Sequence, residues 1–192
     1  GAQAGDAITT GDNNVAVGYA ALDADTLGSR SIAIGVSSLT SQNFTTATNG
    51  YNISIGHLAG ANITTGVQNT IIGGLVGDAL TDADFNVALG YSSLSQDTLG
   101  SKTTALGWGT LATQNFTTAT DSFNTAVGYQ AGLSVTTGQY NTILGGDAGD
   151  ALTTGSSNVA IGYFALSAED AHGLNVAVGS RALGNQNAGA NA

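Results

Sequence analysis

The chain repeats one short pattern of apolar and polar positions ten times. Most copies have the form Asn-x-x-apolar-Gly, as at positions 14–18 and 158–162. The residue before the glycine is always large and aliphatic, and the residue two positions earlier is always β-branched. This alternation is typical of a β-strand, so the pattern predicts ten strands whose aliphatic face lines a core. The aliphatic residues are Val17, Ile34, Ile55, Ile72, Leu89, Leu106, Val127, Leu144, Ile161 and Val178.

The glycines that end the ten copies, called marker glycines below, set the period of the chain. They are Gly18, Gly35, Gly56, Gly73, Gly90, Gly107, Gly128, Gly145, Gly162 and Gly179. Their spacing is seventeen positions, except for two wider steps that end at Gly56 and Gly128 and define two long coils. A period this short predicts a solenoid, in which each turn of chain, or coil, stacks on the one before. We therefore predict an all-β parallel β-solenoid (a β-roll) of ten coils, forming a single repeat domain over residues 1–192.

A longer repeat, four coils in length, lies over the shorter one. Residues 42–48 return letter for letter as residues 114–120, and residues 26–29 return as residues 98–101. A rod accommodates duplication of a four-coil block easily, because each coil contacts mainly its neighbours. An active site accommodates it poorly, because its residues lie on several different elements. The repeat argues against an enzyme, and the sequence contains no Ser-His-Asp spacing or helical metal motif.

The middle residue of each predicted strand is also mostly apolar, but it is small in eight of the ten copies. Neighbouring side chains on a strand point to opposite faces, so this row lies opposite the aliphatic row. A strand that is apolar on both faces is buried on both. Since so short a coil encloses little interior, we expect the second face to pack against other copies of the chain. A homotrimer is the expected assembly.

Two polar positions are predicted to have structural roles. Asparagine opens eight of the ten copies, and stacked coils would set these amides in a ladder in which each bonds to the next. Seven positions before each marker glycine lies a second turn position, which is Gly, Asn, Asp or His in all copies except Ala83. These residue types tolerate a left-handed backbone best, so we expect a positive φ at that position.

Composition argues against several classes of partner and site. The net charge is −10, from 13 acidic and three basic residues, which argues against nucleic acid and anionic membranes as partners. No apolar run is long enough to span a membrane, so membrane insertion is not expected. The chain has no cysteine, and no cofactor or metal is expected. A weak surface Ca²⁺ site stays open as an alternative to solvated turn carboxylates, at Asp78, Asp82 and Asp84 or at Asp147 and Asp150.

The repeats resemble those of two fibrous families. The string Asn-Val-Ala-Val-Gly at 14–18 and 175–179 resembles the head repeat of trimeric autotransporter adhesins. The string Asn-Thr-Ala-Val-Gly-Tyr-Gln-Ala-Gly at 124–132, followed by Thr-Thr-Gly at 136–138, is similar to repeats of bacteriophage tail fibres. Adhesin repeats are commonly shorter and lack the Gly-Tyr step and the Thr-Thr-Gly turn, which favours the tail fibre. The resemblance implies a left-handed parallel β-roll of three chains.

The resemblance also implies a function and a location. We expect a structural and adhesive module of a trimeric extracellular fibre, most consistent with a virion tail fibre that contacts its host. The alternative is the head of a bacterial cell-surface adhesin that binds host matrix or cells. An ice-binding solenoid is less favoured, because it would need threonine in every coil and the Thr-Thr steps skip coils.

Aromatic residues are the candidate contacts with a host glycan or protein. The two long coils carry insertions, and insertions in solenoids often form a binding face. These loops contain Phe44 and Phe116 and are followed by Tyr51 and Phe123, while Trp108 follows a marker glycine. The alternative is that the loop aromatics pack to hold their own loops together, or fill a groove between chains.

Overall fold

The computed structural model of the chain describes residues 1–168 and 170–185. Residue 169 and residues 186–192 of the predicted domain lie outside the described residues. The described part is all-β and forms a parallel β-solenoid of about ten turns, which confirms the predicted fold class.

Fourteen short strands make up the solenoid. They are β1 (Val15–Val17), β2 (Gly28–Ser29), β3 (Ile32–Ile34), β4 (Thr48–Asn49), β5 (Ile53–Ile55), β6 (Thr70–Ile72), β7 (Val87–Leu89), β8 (Gly100–Ser101), β9 (Thr104–Leu106), β10 (Thr120–Asp121), β11 (Thr125–Val127), β12 (Thr142–Leu144), β13 (Val159–Ile161) and β14 (Val176–Val178). The ten longer strands, one per coil, form a single parallel sheet. The shorter strands pair as β2 with β4 and β8 with β10, next to the inserted loops of the long coils.

The sheet keeps its register across the insertions. Val15, Ala16 and Val17 of β1 pair with the equivalent residues of β3, and the same positions pair across the long coil between β3 and β5. The extra residues therefore leave the sheet undisturbed and are accommodated in the loop. As a result, each position of the repeat forms a continuous row along the rod.

The two faces of the sheet are the reverse of the sequence prediction. The middle residue points into the coil and is buried in nine of the ten strands; seven of these nine residues are small, such as Ala33 and Ala105, and the other two are Ile71 and Ile143. The ten aliphatic residues predicted to line the coil interior point outwards, and none of them is buried. Val17 is 53% exposed and Val178 is 63% exposed. The prediction was wrong because the interior is narrow: it takes a small middle residue in most coils, and an isoleucine only where the opposite wall has a glycine, as with Ile71 and Gly77.

That opposite wall fills the interior in two alternative ways. In one type of coil, a leucine four positions after the marker glycine is fully buried, as at Leu94. In the other type that position is glycine, and an aliphatic residue three positions later occupies the space, as with Gly60 and Ile63. A Cβ on Gly60 would lie 2.9 Å from Cδ1 of Ile63, so the two large side chains exclude each other. This accounts for the alternation of leucine and glycine along the repeat.

The predicted asparagine ladder is confirmed. The Asn52 side-chain oxygen accepts a hydrogen bond from the backbone N–H of Asn69 at 2.9 Å, and the Asn69 Nδ2 donates to the carbonyl of Ala83 at 2.8 Å. The ladder recurs in the second block, where the Asn141 side-chain oxygen accepts from the backbone N–H of Asn158. The buried amides thus link each coil to the next, and those of Asn69 and Asn158 also donate back to the previous coil.

The backbone conformation of the second turn differs from the prediction. None of the residues seven positions before the marker glycines has a positive φ. The glycines there make room instead, because a Cβ on Gly66 or Gly138 would overlap the backbone of the next coil. Left-handed residues lie elsewhere, including the position two before each of the ten longer strands, where Phe85 has a φ of 61°.

Candidate interaction surfaces

The outer face of the ten-stranded sheet is an exposed and largely apolar surface. Each coil contributes the two outer residues of its strand, and one further position lies on either side. The leading row, two positions before each strand, is Asn13, Arg30, Tyr51, Gln68, Phe85, Lys102, Phe123, Tyr140, Ser157 and Leu174. The trailing row, directly after each marker glycine, is Tyr19, Val36, His57, Gly74, Tyr91, Trp108, Tyr129, Gly146, Tyr163 and Ser180. This four-row surface is called the sheet face below.

The size and charge of the sheet face distinguish it from ordinary surface. Six steps of about 3.3 Å across and nine coil spacings of about 4.8 Å along give roughly 850 Å². The largest apolar patch on a typical monomer is only about 300–600 Å². None of the acidic residues that the structure describes lies on the sheet face, although the chain has 13 acidic residues and only three basic ones. A single chain therefore leaves a large, acid-free apolar surface in contact with water.

Aromatic rings in the trailing row stack along the rod. Trp108 is 45% exposed, and its ring lies 5.1 Å from that of Tyr129 with an angle of 12° between the planes. Tyr91 lies over Gly74, where a Cβ would be 3.4 Å from its ring. Face-to-face stacking covers one flat face of Trp108, so the ring presents mainly its edge outwards. This geometry is unfavourable for the flat stacking of a sugar on Trp108.

The leading row forms similar columns. Phe123 stacks on Tyr140 of the next coil at 5.5 Å, and the ammonium group of Lys102 in the preceding coil lies 5.2 Å from the Phe123 ring. Lys102 also forms an ion pair with Asp121. In the first block, Arg30 donates a hydrogen bond to the Tyr51 hydroxyl at 2.8 Å. Both Tyr51 and Phe123 are thus exposed but already engaged by neighbours along the rod.

Phe44 and Phe116, predicted as receptor contacts, are buried. Each is 4% exposed, and a Cβ on Gly28 would lie 2.7 Å from the Phe44 ring. They pack under their own loops, in line with the alternative interpretation, although they do not pair with Tyr51 or Phe123. The two aromatic residues of each loop look alike in sequence, and only the fold separates an inward from an outward ring.

A buried polar network fixes the base of each loop. In the second loop, Gln114 donates to one carboxylate oxygen of Asp97 at 2.6 Å, and the N–H groups of Gly100 and Phe116 donate to the other at 3.0 Å. The side-chain amide of Asn124 in turn donates to the side-chain oxygen of Gln114 at 2.8 Å. Burial raises the pKa of the Asp97 carboxyl, and these hydrogen bonds to Asp97 oppose the shift. The network ties the loop to the coil before it and to the asparagine ladder.

The same network recurs four coils earlier, with Asp25, Gln42 and Asn52 in the equivalent places. Sequence reasoning missed these residues. The sequence does distinguish them, at the position seven after each marker glycine. That position is Asp, Gln or Glu in the coils that carry leucine four positions after the marker glycine, and aliphatic in the coils that carry glycine there. With the bases fixed, the exposed part of each loop is its tip, at positions 45–47 and 117–119.

A groove of about 610 Å³ lies beside the second loop. Its lining residues are Asp82, Asp84, Ser101, Ala119, Thr120, Asp121, Gln139 and Tyr140. Burial raises the pKa of the Asp84 carboxyl, a hydrogen bond from the N–H of Val67 opposes this, and the charges of Asp82 and Asp121 raise it further. Within the described ranges, no three acidic, histidine or cysteine residues are grouped so that they could hold a metal ion. The alternative of a weak Ca²⁺ site therefore gains no support from the geometry.

Comparison of the chain with models of protein families, with curated proteins and with solved structures yields no match. In the part of the chain that the structure describes, there is no helix of the length and apolarity needed to cross a membrane.

Proposed function

We propose that this chain is a stiff module of a trimeric extracellular fibre, of the kind found in virion tail fibres. The observation that carries the proposal is the sheet face, a largely apolar, acid-free surface of roughly 850 Å² in all that is uncovered along the rod. A surface of this size is comparable with the roughly 800 Å² that each partner buries in a stable protein interface. Packing identical chains side by side around a common axis covers every sheet face at once.

The internal bonding of the solenoid supports a mechanical role. Each coil is bonded to the next by the sheet and the asparagine ladder. A threonine row adds hydroxyl-to-carbonyl bonds between coils, such as Thr81 to Thr98 at 3.0 Å. Ten coils at about 4.8 Å make a rod roughly 48 Å long. Rows of bonds along the axis resist both bending and stretching, which suits a spacer between a particle and its target.

The molar mass of the native protein, measured by light scattering, tests this assembly. We expect a mass of three chains, each of 18.8 kDa, at micromolar concentration. A mass of one chain would overturn the proposal, because the sheet face would then be stable in water. A mass of two chains would overturn the trimer while retaining self-association through this face.

Contact with a host is the second part of the proposal, and the loop tips at 45–47 and 117–119 are its site. In a trimer, six tips would lie at two levels about 19 Å apart, since four coils separate them. Binding of the labelled trimer to bacterial envelope polysaccharides would support a tail fibre. Binding to host matrix proteins would support the alternative of an adhesin head. A variant with both loops shortened to the length of an ordinary coil is the control, and equal binding by that variant would exclude the tips.

The ice-binding alternative receives little support. The threonine hydroxyls at Thr9, Thr64 and Thr81 donate to carbonyl groups of the next coil. Their donor protons are therefore used within the rod, and the row is interrupted by Asn43 and Asn115. An ordered water-binding array needs outward hydroxyls in every coil.

A further inference from the structure

We propose that neighbouring copies pack parallel and in register, with the leading row of one copy against the trailing row of the next. The inference rests on the proposed fibre function and specifies which residues form the seam between chains. In this arrangement, both edges of the sheet face are covered by further copies of this chain.

The period and charge of the sheet face favour a second copy over another partner. Its side chains recur at the strand spacing of about 4.8 Å over ten coils. A partner whose side chains have the same spacing can pack against them along the full length of the rod. Each chain carries a net charge of −10, so copies repel one another over most of their surfaces. The sheet face has no acidic residue, so two copies can approach closely at this surface.

The two rows differ in chemistry, which favours contact between unlike rows. The leading row contains both basic residues of the sheet face, Arg30 and Lys102. The trailing row contains the tryptophan and four tyrosines. At equal height, Lys102 of one copy lies level with Trp108 of the next, so the apolar stem of the lysine can pack against the outward edge of the stacked indole. Unlike rows meet when the chains run parallel around a common axis.

Side-chain size selects the register. With equal coils opposed, every glycine or serine in one row faces a large side chain in the other, as with Gly74 and Gln68 or Ser157 and Tyr163. A slip of one coil in one direction opposes Ser157 to Gly146, and a slip in the other direction opposes Ser157 to Ser180. Each slip places two small residues opposite each other and leaves a gap between the chains at that coil. Atoms beside such a gap lose van der Waals contacts. The in-register arrangement leaves no such gap.

The seam changes the role of three residues predicted as receptor contacts. Tyr51 and Phe123 belong to the leading row and Trp108 to the trailing row, so all three lie between chains. The stacking of Phe123 and Trp108 along the rod is consistent with this role, since stacked rings present edges to the neighbouring chain. Host contact is then left to the loop tips.

Disulfide trapping tests the seam, because the chain has no cysteine of its own. The double variant Gln68→Cys with Gly74→Cys places thiols in the leading and trailing rows of one coil. Within a chain these positions are separated by roughly 20 Å of extended backbone. A disulfide requires Cα atoms within about 7 Å, so bonding within one chain is excluded. We expect mild oxidation to give covalent trimers, and neither single variant to cross-link.

A matched offset pair tests the register. Gln68→Cys with Trp108→Cys places the thiols two coils apart, about 10 Å along the rod, and we expect no cross-link. Cross-linking of a single variant would overturn the proposal, since like rows would then meet. Cross-linking of the offset pair alone would overturn the register. The pair Tyr140→Cys with Gly146→Cys repeats the test in the second block.

The reduced proteins separate failure of the seam from failure of the fibre proposal. If both same-coil variants keep a mass of three chains and neither cross-links on oxidation, the seam is wrong and the trimer stands. If the native protein itself has the mass of one chain, the proposed function fails, and the seam fails with it.

Discussion

Each marker glycine has a φ between +126° and +144°, a conformation that side chains rarely adopt. In nine of the ten, a Cβ would also overlap the backbone of the marker glycine in the next coil. The distance between coils is therefore set by residues with no side chain. Single residues of this kind determine whether the sheet can stack at its normal spacing.

The neighbouring glycines Gly145 and Gly146 offer a matched pair of substitutions. Gly145→Ala meets both the strained φ and the backbone of Gly162, whereas a Cβ on Gly146 would meet only the Tyr163 ring, at an ordinary contact distance of 3.7 Å. We expect Gly145→Ala to lower stability by about 1–3 kcal/mol or more, the usual cost of such strain. Gly146→Ala avoids both effects within the chain and, in the proposed seam, adds one methyl group opposite Tyr140 of the next copy, so it should lower stability by clearly less than Gly145→Ala does. Thermal unfolding followed by circular dichroism measures both, and equal midpoints would contradict the explanation.

Four partly or fully buried carboxyl groups are expected to make the folded chain more stable as the pH falls. Burial raises the pKa of Asp78, Asp84, Asp97 and Asp150 above the ordinary value of 3.8. The folded chain therefore takes up these protons at a higher pH than the unfolded chain does. From these four groups, the free energy of unfolding rises as the pH falls from neutral through the raised pKa values, and the gain is complete below 3.8.

The midpoint of thermal unfolding between pH 7 and pH 4 measures this effect, and we expect it to increase on acidification. One carboxylate oxygen of Asp78 and one of Asp150 are buried without a hydrogen-bond partner among the described residues. The double variant Asp78→Asn with Asp150→Asn should therefore show a smaller rise. A midpoint that falls steadily with pH in the native protein would refute the prediction.

At the scale of elements, the two inserted loops are built on the same buried support. Phe44 and Phe116 fill the space beneath them, and a carboxylate–amide network closes their bases. Within the described residues, the strands β2, β4, β8 and β10 occur only beside these loops. The loops are thus structured parts of the rod, which hold their tips at a defined position.

Truncation of Phe116 tests this support. Phe116→Ala removes a buried ring and should cost about 3–5 kcal/mol, as core phenylalanine truncations do. Phe44→Ala should behave in the same way, because its surroundings repeat those of Phe116. Thr118→Ala, at the exposed tip, is the control and should change little. Unfolding midpoints together with proteolytic cleavage of the loop at 117–120 provide the measurement, and loops that stay resistant in Phe116→Ala would contradict this role.

At the scale of the whole molecule, the sheet face decides whether the rod exists alone. The interior of a coil holds at most a few large side chains, such as Leu94 alone or Ile71 with Leu80, so a single chain buries little apolar surface. In the proposed trimer, the covered outer aliphatic rows would form a second core shared between chains. Assembly and folding would then be coupled, and we expect the stability of the rod to depend on protein concentration.

Charge substitutions on the sheet face test this coupling. Leu89→Lys with Leu144→Lys places two charges in the outer strand rows, where burial of an unpaired charge is strongly unfavourable. We expect the mass to fall from three chains to one at micromolar concentration. Asn62→Lys with Gln96→Lys changes the net charge equally at exposed positions away from the sheet face and should leave the mass unchanged. If the two variants have the same mass, the sheet face is not the interface.

Local repetition was readable from the sequence alone. The period, the ten strands and the asparagine ladder follow from residue types at fixed spacing, because each depends on one coil and its neighbour. Residues such as Asn69 and Gly73 recur at the same place in the repeat, and their roles could be inferred before the fold was known.

The direction in which side chains point was decided only by the tertiary structure. Ala33 and Ile34 are both apolar, and alternation shows that they lie on opposite faces without showing which face is inside. The width of the closed coil determines that: beside a buried leucine such as Leu39 there is space for Ala33, whereas Ile71 is accommodated beside Gly77. Phe44 and Tyr51 differ in the same way, because only the closed loop turns one ring inwards. Sequence by itself determined the period and the strands of this protein, and closure of the coil determined which apolar face became its surface.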